Sequence, residues 1–238
     1  SVLQGVSPDV LLVYGDVNGA LAMARAADEL HIPIAHIEAG LRSGDLSMPE
    51  EVNRIEIDQR SSFLFVSEQS GLHHLQSEGV KGSIHFVGNT MIDTLIRMMP
   101  IIQSTVLPLI LPESYGVATL HRPSNVDSPK ELGLAIDFLS QVSTRIPILL
   151  PLHRRTQSAI DAYGLRKKIP TTVRVIDPLG YVEFLALVSR ASVVITDSGG
   201  LQEESTFLQK KCFTLRHNTE RPSTIESGSN EQIGRAHV

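Results

Sequence analysis

The chain has 238 residues, 42% of them hydrophobic, and a formal net charge of −5. That length carries one large domain or two smaller ones with a sizeable core, and the two signs of charge are interspersed without a basic run, which argues against a nucleic-acid partner. The one cysteine, Cys212, excludes an intrachain disulfide framework and suits a reducing compartment; no apolar run approaches the ~18 residues that span a bilayer, and no signal peptide is visible, so the expectation is a cytoplasmic protein away from membranes.

In chain order, "SVLQGVSPDV" reads as the tail of a helix running into a strand, and the chain opens on Ser1. On these features a fragment is expected, and "GRAHV" at the other end has no periodicity, so residues 235–238 are expected to be a non-native tail. "PDVLLVYGD" is a short apolar run ending in Gly-Asp, "NGALAMARAADEL" has helical periodicity, and "IPIAHIEAG" is a second apolar run. The unit repeats as "SFLFVSEQ", "GLHHLQSEG" and "SIHFVGN". Apolar strands alternating with helices predict a parallel sheet covered on both faces, with ligands at the carboxyl ends of the strands. Asp16, Glu38 and Asn89 lie at such ends.

A proline-rich stretch from Pro100 to Pro112 is the expected joint, after which the pattern restarts. "GVATLHRPSN", "IPILLPLHRRT", "VRVIDPLG", "SVVITDSGG" and "KCFTLRHNTERP" read as strands with their following loops. "KELGLAIDFLSQVS", "YVEFLALVSRA" and "LQEESTFLQK" read as helices. The prediction is an α/β protein of two Rossmann-like domains, residues 1–99 and 112–234, facing each other across a cleft.

"TDSGGLQEE" carries the densest chemistry. Ser198 is a suitable N-cap. Gly199 and Gly200 allow close backbone approach, and the helix start they open presents amides and a positive dipole end to an anion. A tight strand-to-helix turn needing small residues would explain the two glycines equally well. Glu204, four residues beyond Gly200, sits one turn deeper on the same face. It is too far in for a phosphate but placed to accept two hydrogen bonds from a vicinal diol, such as a ribose. The ligand read from this stretch is a nucleotide.

In "IEAGLRSGDLSMPEEVNR", Glu38 ends a strand and Pro49 opens a helix. Glu50 and Arg54 are then i and i+4 and predict an ion pair. An ordinary surface pair is the common outcome, but Arg42, Asp45 and Glu51 crowd the same strand end. His121 with Arg122, and His153 with Arg154 and Arg155, close two further strands and fit an anion site. Arg221, in "TERP", reads as a loop residue able to close a phosphate pocket. No pair of the nine histidines has convincing metal spacing beside acidic ligands, so no metal is expected. "HIPIAHIE" could bring a histidine near Glu38. Cys212 reads as buried filler.

Taken together, the Gly-Asp after the first strand, "HIEAGLRSGD", "PEEVNR", "VGNTMIDTL", "LHRPSN", "TDSGGLQEE" and "TERP", in that order, resemble the non-hydrolysing UDP-N-acetylglucosamine 2-epimerases of bacteria and archaea. The match runs from about Pro8 to Gly234. The resemblance implies the two-domain fold called GT-B, and interconversion of UDP-GlcNAc and UDP-ManNAc without an added cofactor. It implies a route in which a base takes the C2 proton, UDP leaves C1, and both return with inversion at C2. Asp16, Glu38 and Glu50 match the acid–base carboxylates, Arg54 a functional arginine, and His121 the histidine that assists the leaving group. Ser198, Gly199, Gly200 and Glu204 match the UDP site. The family's opening Gly-x-Arg-Pro-Glu loop with its lysine, and its closing helix, are not in this sequence, so the truncated chain is expected to turn over little. A homodimer is implied by family analogy alone. Three other readings stay open: a hydrolysing 2-epimerase, a GT-B glycosyltransferase, and a non-catalytic nucleotide-sugar binder. The hydrolysing relatives carry an "IHGG"-like run and a serine-rich loop where this chain has Glu38 and "DSGG".

Overall fold

The computed structural model of the chain describes residues 2–234; the tail expected to be non-native, 235–238, lies outside them. The chain divides into two compact units, Ser1–Thr90 with Asn218–Ser223, and Met91–His217 with Thr224–Val238.

The first unit runs α1 (Val2–Val6), β1 (Leu11–Tyr14), α2 (Asn18–Glu29), β2 (Ile34–Ala39), α3 (Pro49–Arg60), β3 (Phe63–Val66), α4 (Gln69–Ser77) and β4 (Ser83–Phe86). Its four strands form a parallel sheet in the order β1-β2-β3-β4. Each strand is joined to the next by a helix, the connection that parallel neighbours require. Leu21, Ala24 and Ala27 repeat every three residues along α2 and bury one stripe against Val13, Ile34 and Ile57. Leu75 of α4 does the same for Leu64 and Val66. The expected cover on both faces is not met in this sheet. Leu12 and Phe63 share a register row with Ala35 on the opposite face, and Leu12, Tyr14 and Phe63 are exposed.

The second unit begins within α5 (Thr90–Ser104) and continues β5 (Gly116–Thr119), α6 (Pro123–Val126), α7 (Pro129–Ser143), β6 (Ile148–Pro151) and α8 (Arg154–Ala162). A 3₁₀ turn at Leu165–Lys168 leads to β7 (Val173–Ile176), α9 (Tyr181–Arg190), β8 (Val193–Thr196), α10 (Gly199–Phe207), β9 (Lys211–Thr214), α11 (Pro222–Glu226) and β10 (Asn230–Gln232). The parallel sheet has the order β10-β9-β8-β5-β6-β7. Here both faces are covered. Val117, Leu149 and Val194 pack on one side with α5 and α9, and Ala118, Leu150 and Ile195 on the other with α7. The chain builds outward from β5 through β6 and β7, then returns to β5's other side with β8. The β5/β8 boundary is therefore the topological switch point, where a crevice opens at the strands' carboxyl ends.

The division falls at Thr90, ahead of the expected joint between Pro100 and Pro112. Leu95 and Ile102 of α5 are fully buried in one core cluster with Leu185 and Val188 of α9, so the helix belongs to the second unit. Pro100 lies inside α5 rather than ending it. The segment Asn218–Ser223, read as part of the second domain, returns to the first unit. Ser223 Oγ donates to Glu68 Oε1 at 2.7 Å, and Arg221 pairs with Glu38.

Candidate functional site: a ligand cavity in the second unit and a carboxylate cluster in the first

In the second unit the site grows from the β8–α10 turn. Ser198 adopts an extended N-cap conformation, and its hydroxyl accepts from Leu201 N at 3.4 Å. At Gly200 a side chain would place Cβ 3.3 Å from Met91 Sδ, a tight approach that the Met91 side chain would have to yield to by a few tenths of an ångström. Asp197, just before the cap, is fully buried. It accepts the backbone amides of His121 (3.0 Å) and Arg122 (2.9 Å) and the Asn125 side chain (3.1 Å). His121 Nδ1 lies 3.0 Å from its Oδ1. Burial works to raise the Asp197 pKa, but the His121 ring, the Arg122 amide and Asn125 outweigh it and hold the carboxyl below its usual value. An ionised Asp197 accepts a hydrogen bond from the Nδ1–H of His121, which orients the ring and leaves Nε2 outside that bond.

A cavity of about 220 Å³ lies at this switch point. It brings together four of the predicted residues: His121, His153, Ser198 and Glu204. The two histidine rings lie 5.7 Å apart, centre to centre. His153 caps α8, its Nδ1 accepting from Arg155 N at 3.2 Å, so the ring proton sits on Nε2. Gly199 and Gly200 form the turn beneath Ser198 without lining the cavity, and Arg122 contributes its backbone amide to Asp197. Apart from Thr119 the rest of the wall is apolar, with Leu179, Phe184 and Leu201. Glu204 is almost completely buried, which pushes its carboxyl up to about 7 against a hydrogen bond from Tyr181. Burial, with Glu204 beside it, raises Tyr181 to about 12.

In the first unit, β2 breaks register between Ile37 and Ala39, and Glu38 takes a left-handed backbone at φ 72°. Such a conformation is costly for a side-chain-bearing residue and marks a bulge that re-aims its side chain. Gly15, also left-handed, has no Cβ where one would stand 3.5 Å from Glu38 Oε2. The Glu38 carboxylate thus lies beside the turn that carries Asp16. Asp16 pairs with Arg54, and Glu38 with Arg221.

The expected Glu50–Arg54 pair is not formed. Arg54 instead reaches Glu51 at 2.8 Å, and Asp16. Glu51 is the buried member of the two glutamates, and it also accepts the amides of Ser43 and Gly44 at 2.9 Å each. Both i+3 and i+4 neighbours lie on one helix face, and the loop amides decide between them. Glu50 is half-buried at the start of α3 and stays outside this pairing. Arg221, read as a phosphate ligand, is placed on Glu38. His36, the histidine near Glu38, is fully buried against Asp58. Among the described residues, no group of three or more His, Cys, Asp and Glu side chains is placed to hold a metal ion. No helix among them is long and apolar enough to cross a membrane. Cys212 is buried, and burial pushes its thiol up to about 11.

The family described as UDP-N-acetylglucosamine 2-epimerase matches residues 1–237. A UDP-N-acetylglucosamine 2-epimerase of Methanococcus maripaludis is 41% identical over 98% of this chain and 67% of its own length. A UDP-2,3-diacetamido-2,3-dideoxy-D-glucuronate 2-epimerase of Pseudomonas aeruginosa is also 41% identical, over 99% of the chain and 66% of its own length. The crystal structure of the Methanocaldococcus jannaschii UDP-GlcNAc 2-epimerase in complex with UDP-GlcNAc and UDP superimposes with a TM-score of 0.92 at 38% identity, covering 98% of this chain and 67% of that one. The chain therefore spans about two thirds of the length of these relatives. Its two parallel sheets of four and six strands have the GT-B-like fold of those structures. With the family matched over nearly every residue and relatives at this identity, the chain belongs to the UDP-N-acetylglucosamine 2-epimerase family.

Proposed function

We propose that the protein carrying this chain interconverts UDP-GlcNAc and UDP-ManNAc, by eliminating UDP across C1 and C2 and adding it back. The observation that carries this reading is the cavity at the β5/β8 switch point, where His121, Ser198 and Glu204 converge. The α10 N-terminus suits the diphosphate. Glu204 suits the ribose diol, and the apolar wall at Leu179 and Phe184 suits a flat base. His121, oriented by Asp197, places Nε2 to donate to the departing diphosphate oxygen. The carboxylates of the first unit, Asp16, Glu38 and Glu50, supply the proton traffic at C2. One takes the proton as the C1–O bond breaks, giving a 2-acetamidoglucal and UDP. Another returns a proton to the opposite face of C2 as UDP re-adds at C1. Arg54 holds Asp16. Arg221 holds Glu38. No cofactor enters the scheme, and the protein is taken to act in the cytoplasm as a homodimer.

The Pseudomonas relative, as similar as any reported above, supports a second reading: the same C2 chemistry on UDP-2,3-diacetamido-2,3-dideoxy-D-glucuronate. Incubating the full-length protein with each sugar nucleotide in heavy water tests both. Deuterium at C2 of a UDP-ManNAc product supports the first, and turnover of the diacetamido-glucuronate alone supports the second. Release of free ManNAc would instead mark a hydrolysing enzyme.

A further inference from the structure

The most fully buried titratable pair that the chemistry above leaves unused is His36 with Asp58, both fully inaccessible in the first unit. His36 Nδ1 lies 2.6 Å from Asp58 Oδ1, and its Nε2 lies 3.0 Å from the carbonyl oxygen of Gly15. Both ring nitrogens thus face acceptors. A neutral imidazole has one N–H, so it would turn a lone pair toward one of them. Asp58 has further partners of its own: Gly40 N donates to Oδ2 at 3.1 Å, and Arg42 Nη1 lies 2.8 Å from the same oxygen. Arg42 in turn reaches Glu78 at 2.6 Å. A doubly protonated His36 completes a set of two cations and two carboxylates in which each buried polar atom of the pair has a partner, the condition under which buried charge is tolerated.

The backbone groups at the two ends of this chain of bonds are the significant ones. The Gly15 carbonyl belongs to the peptide that leads into Asp16. The Gly40 amide belongs to the peptide two residues beyond Glu38, at the end of the bulge. We propose that His36 and Asp58 are positioning residues, a buried clamp whose imidazolium holds the Asp16 turn and whose carboxylate holds the Glu38 bulge, fixing the two acid–base carboxylates relative to each other. This rests on the epimerase reading for its kinetic consequence but not for its structure. The clamp touches no substrate. It acts by setting backbone planes at two left-handed turns, Gly15 at φ 66° and Glu38 at φ 72°, that would otherwise relax. Misplacing a reacting group by about 1 Å costs on the order of 10²-fold in rate.

Two measurements on the full-length protein test the clamp. In histidine-selective ¹⁵N-labelled wild type, the His36 ring, assigned by its loss in His36→Gln, is expected to show a proton on both nitrogens. A ring with one unprotonated nitrogen would overturn the proposal, whatever the protein catalyses. The second measurement is kinetic. His36→Phe removes both bonds and is expected to lower kcat and C2 exchange on the order of 10²-fold, with KM and UDP affinity unchanged. His36→Gln, whose amide nitrogen reaches the Nε2 position and the Gly15 carbonyl, is expected to recover about tenfold or more of that loss; His36→Asn, which reaches only Asp58, is not. Full rate in the Phe variant, or no difference between Gln and Asn, would sink the positioning role. If wild type epimerises neither sugar nucleotide, the epimerase reading fails, and the ring protonation still decides the clamp. If the Phe variant does not fold, the Gln and Asn comparison decides it.

Discussion

Under the proposed reading, Glu204 ties ligand affinity to stability through one buried side chain. Its carboxyl is raised by burial to about 7, against an unfolded value near 4.3. The folded state therefore holds the extra proton between those two values. The contribution of Glu204 to stability is complete below the unfolded pKa and is lost as pH rises through about 7. Its size is on the order of 3 kcal/mol. Affinity should run the other way, because only the carboxylate accepts both hydrogen bonds from a ribose diol. We expect UDP-GlcNAc, whose diphosphate does not titrate here, to bind more tightly as pH rises from 6 to 8. Calorimetry across that range on wild type and Glu204→Gln checks this, since the Gln variant should lose the pH dependence. Glu204→Ala should weaken UDP more than inorganic diphosphate, by about 1.5–3 kcal/mol; equal weakening of both would remove the ribose assignment. At this scale the sequence was legible where the partner is local. Ser198 as N-cap needs only the residues that follow it. Asp197 gives no such local signal, because its partners His121, Arg122 and Asn125 come from the loop and short helix after β5, more than seventy residues earlier. Phe184 and Tyr181 looked like ordinary helix residues until the fold put them beside Glu204.

Among the elements, the turns around the first unit's strands carry the tightest constraints. Gly40 stands at φ 80°, and a Cβ there would fall 2.6 Å from the Gly71 carbonyl oxygen at the start of α4. Gly40→Ala must accept both the left-handed backbone and a backbone clash. We expect a loss on the order of 2–4 kcal/mol. Gly79 at φ 63° has nothing within 4 Å, so Gly79→Ala keeps only the strain, about 1 kcal/mol. Thermal unfolding of the two variants should separate them clearly; equal losses would show that the Gly40–Gly71 contact is not rigid. Helix and strand identity along most of the chain followed from apolar periodicity, as for α2 and β8. The elements that escaped were those whose pattern is weak. β10 is three polar residues, Asn230–Gln232, held by pairing to β9. α8 is strongly polar and buries only Thr156 and Ile160. The Glu38 bulge gives no periodic signal at all, because it arises in the pairing of β2 with β3.

For the molecule as a whole, the two-unit division was legible from the restart of the strand–helix pattern. Its boundary was not, because α5 reads as apolar on one face whichever core it joins. The return of Asn218–Ser223 to the first unit was equally hidden, since it shows in contacts distant in sequence, such as the pairing of Arg221 with Glu38 and of Ser223 with Glu68. This division makes a functional prediction. The cavity proposed for UDP is lined wholly by second-unit residues, and Glu38 belongs to the first unit. Glu38→Gln should therefore abolish proton exchange at C2, a loss of ~10²–10⁴ in rate for a general acid or base, while calorimetric UDP affinity changes little. A large fall in UDP affinity would mean that Glu38, through Arg221, serves binding instead. The most direct test of the central claim is the position of the isotope. The full-length protein turning over UDP-GlcNAc in heavy water should yield UDP-ManNAc carrying deuterium at C2, because elimination gives the C2 hydrogen to a carboxylate that exchanges with solvent. UDP-ManNAc formed with its original hydrogen retained at C2 would contradict the account.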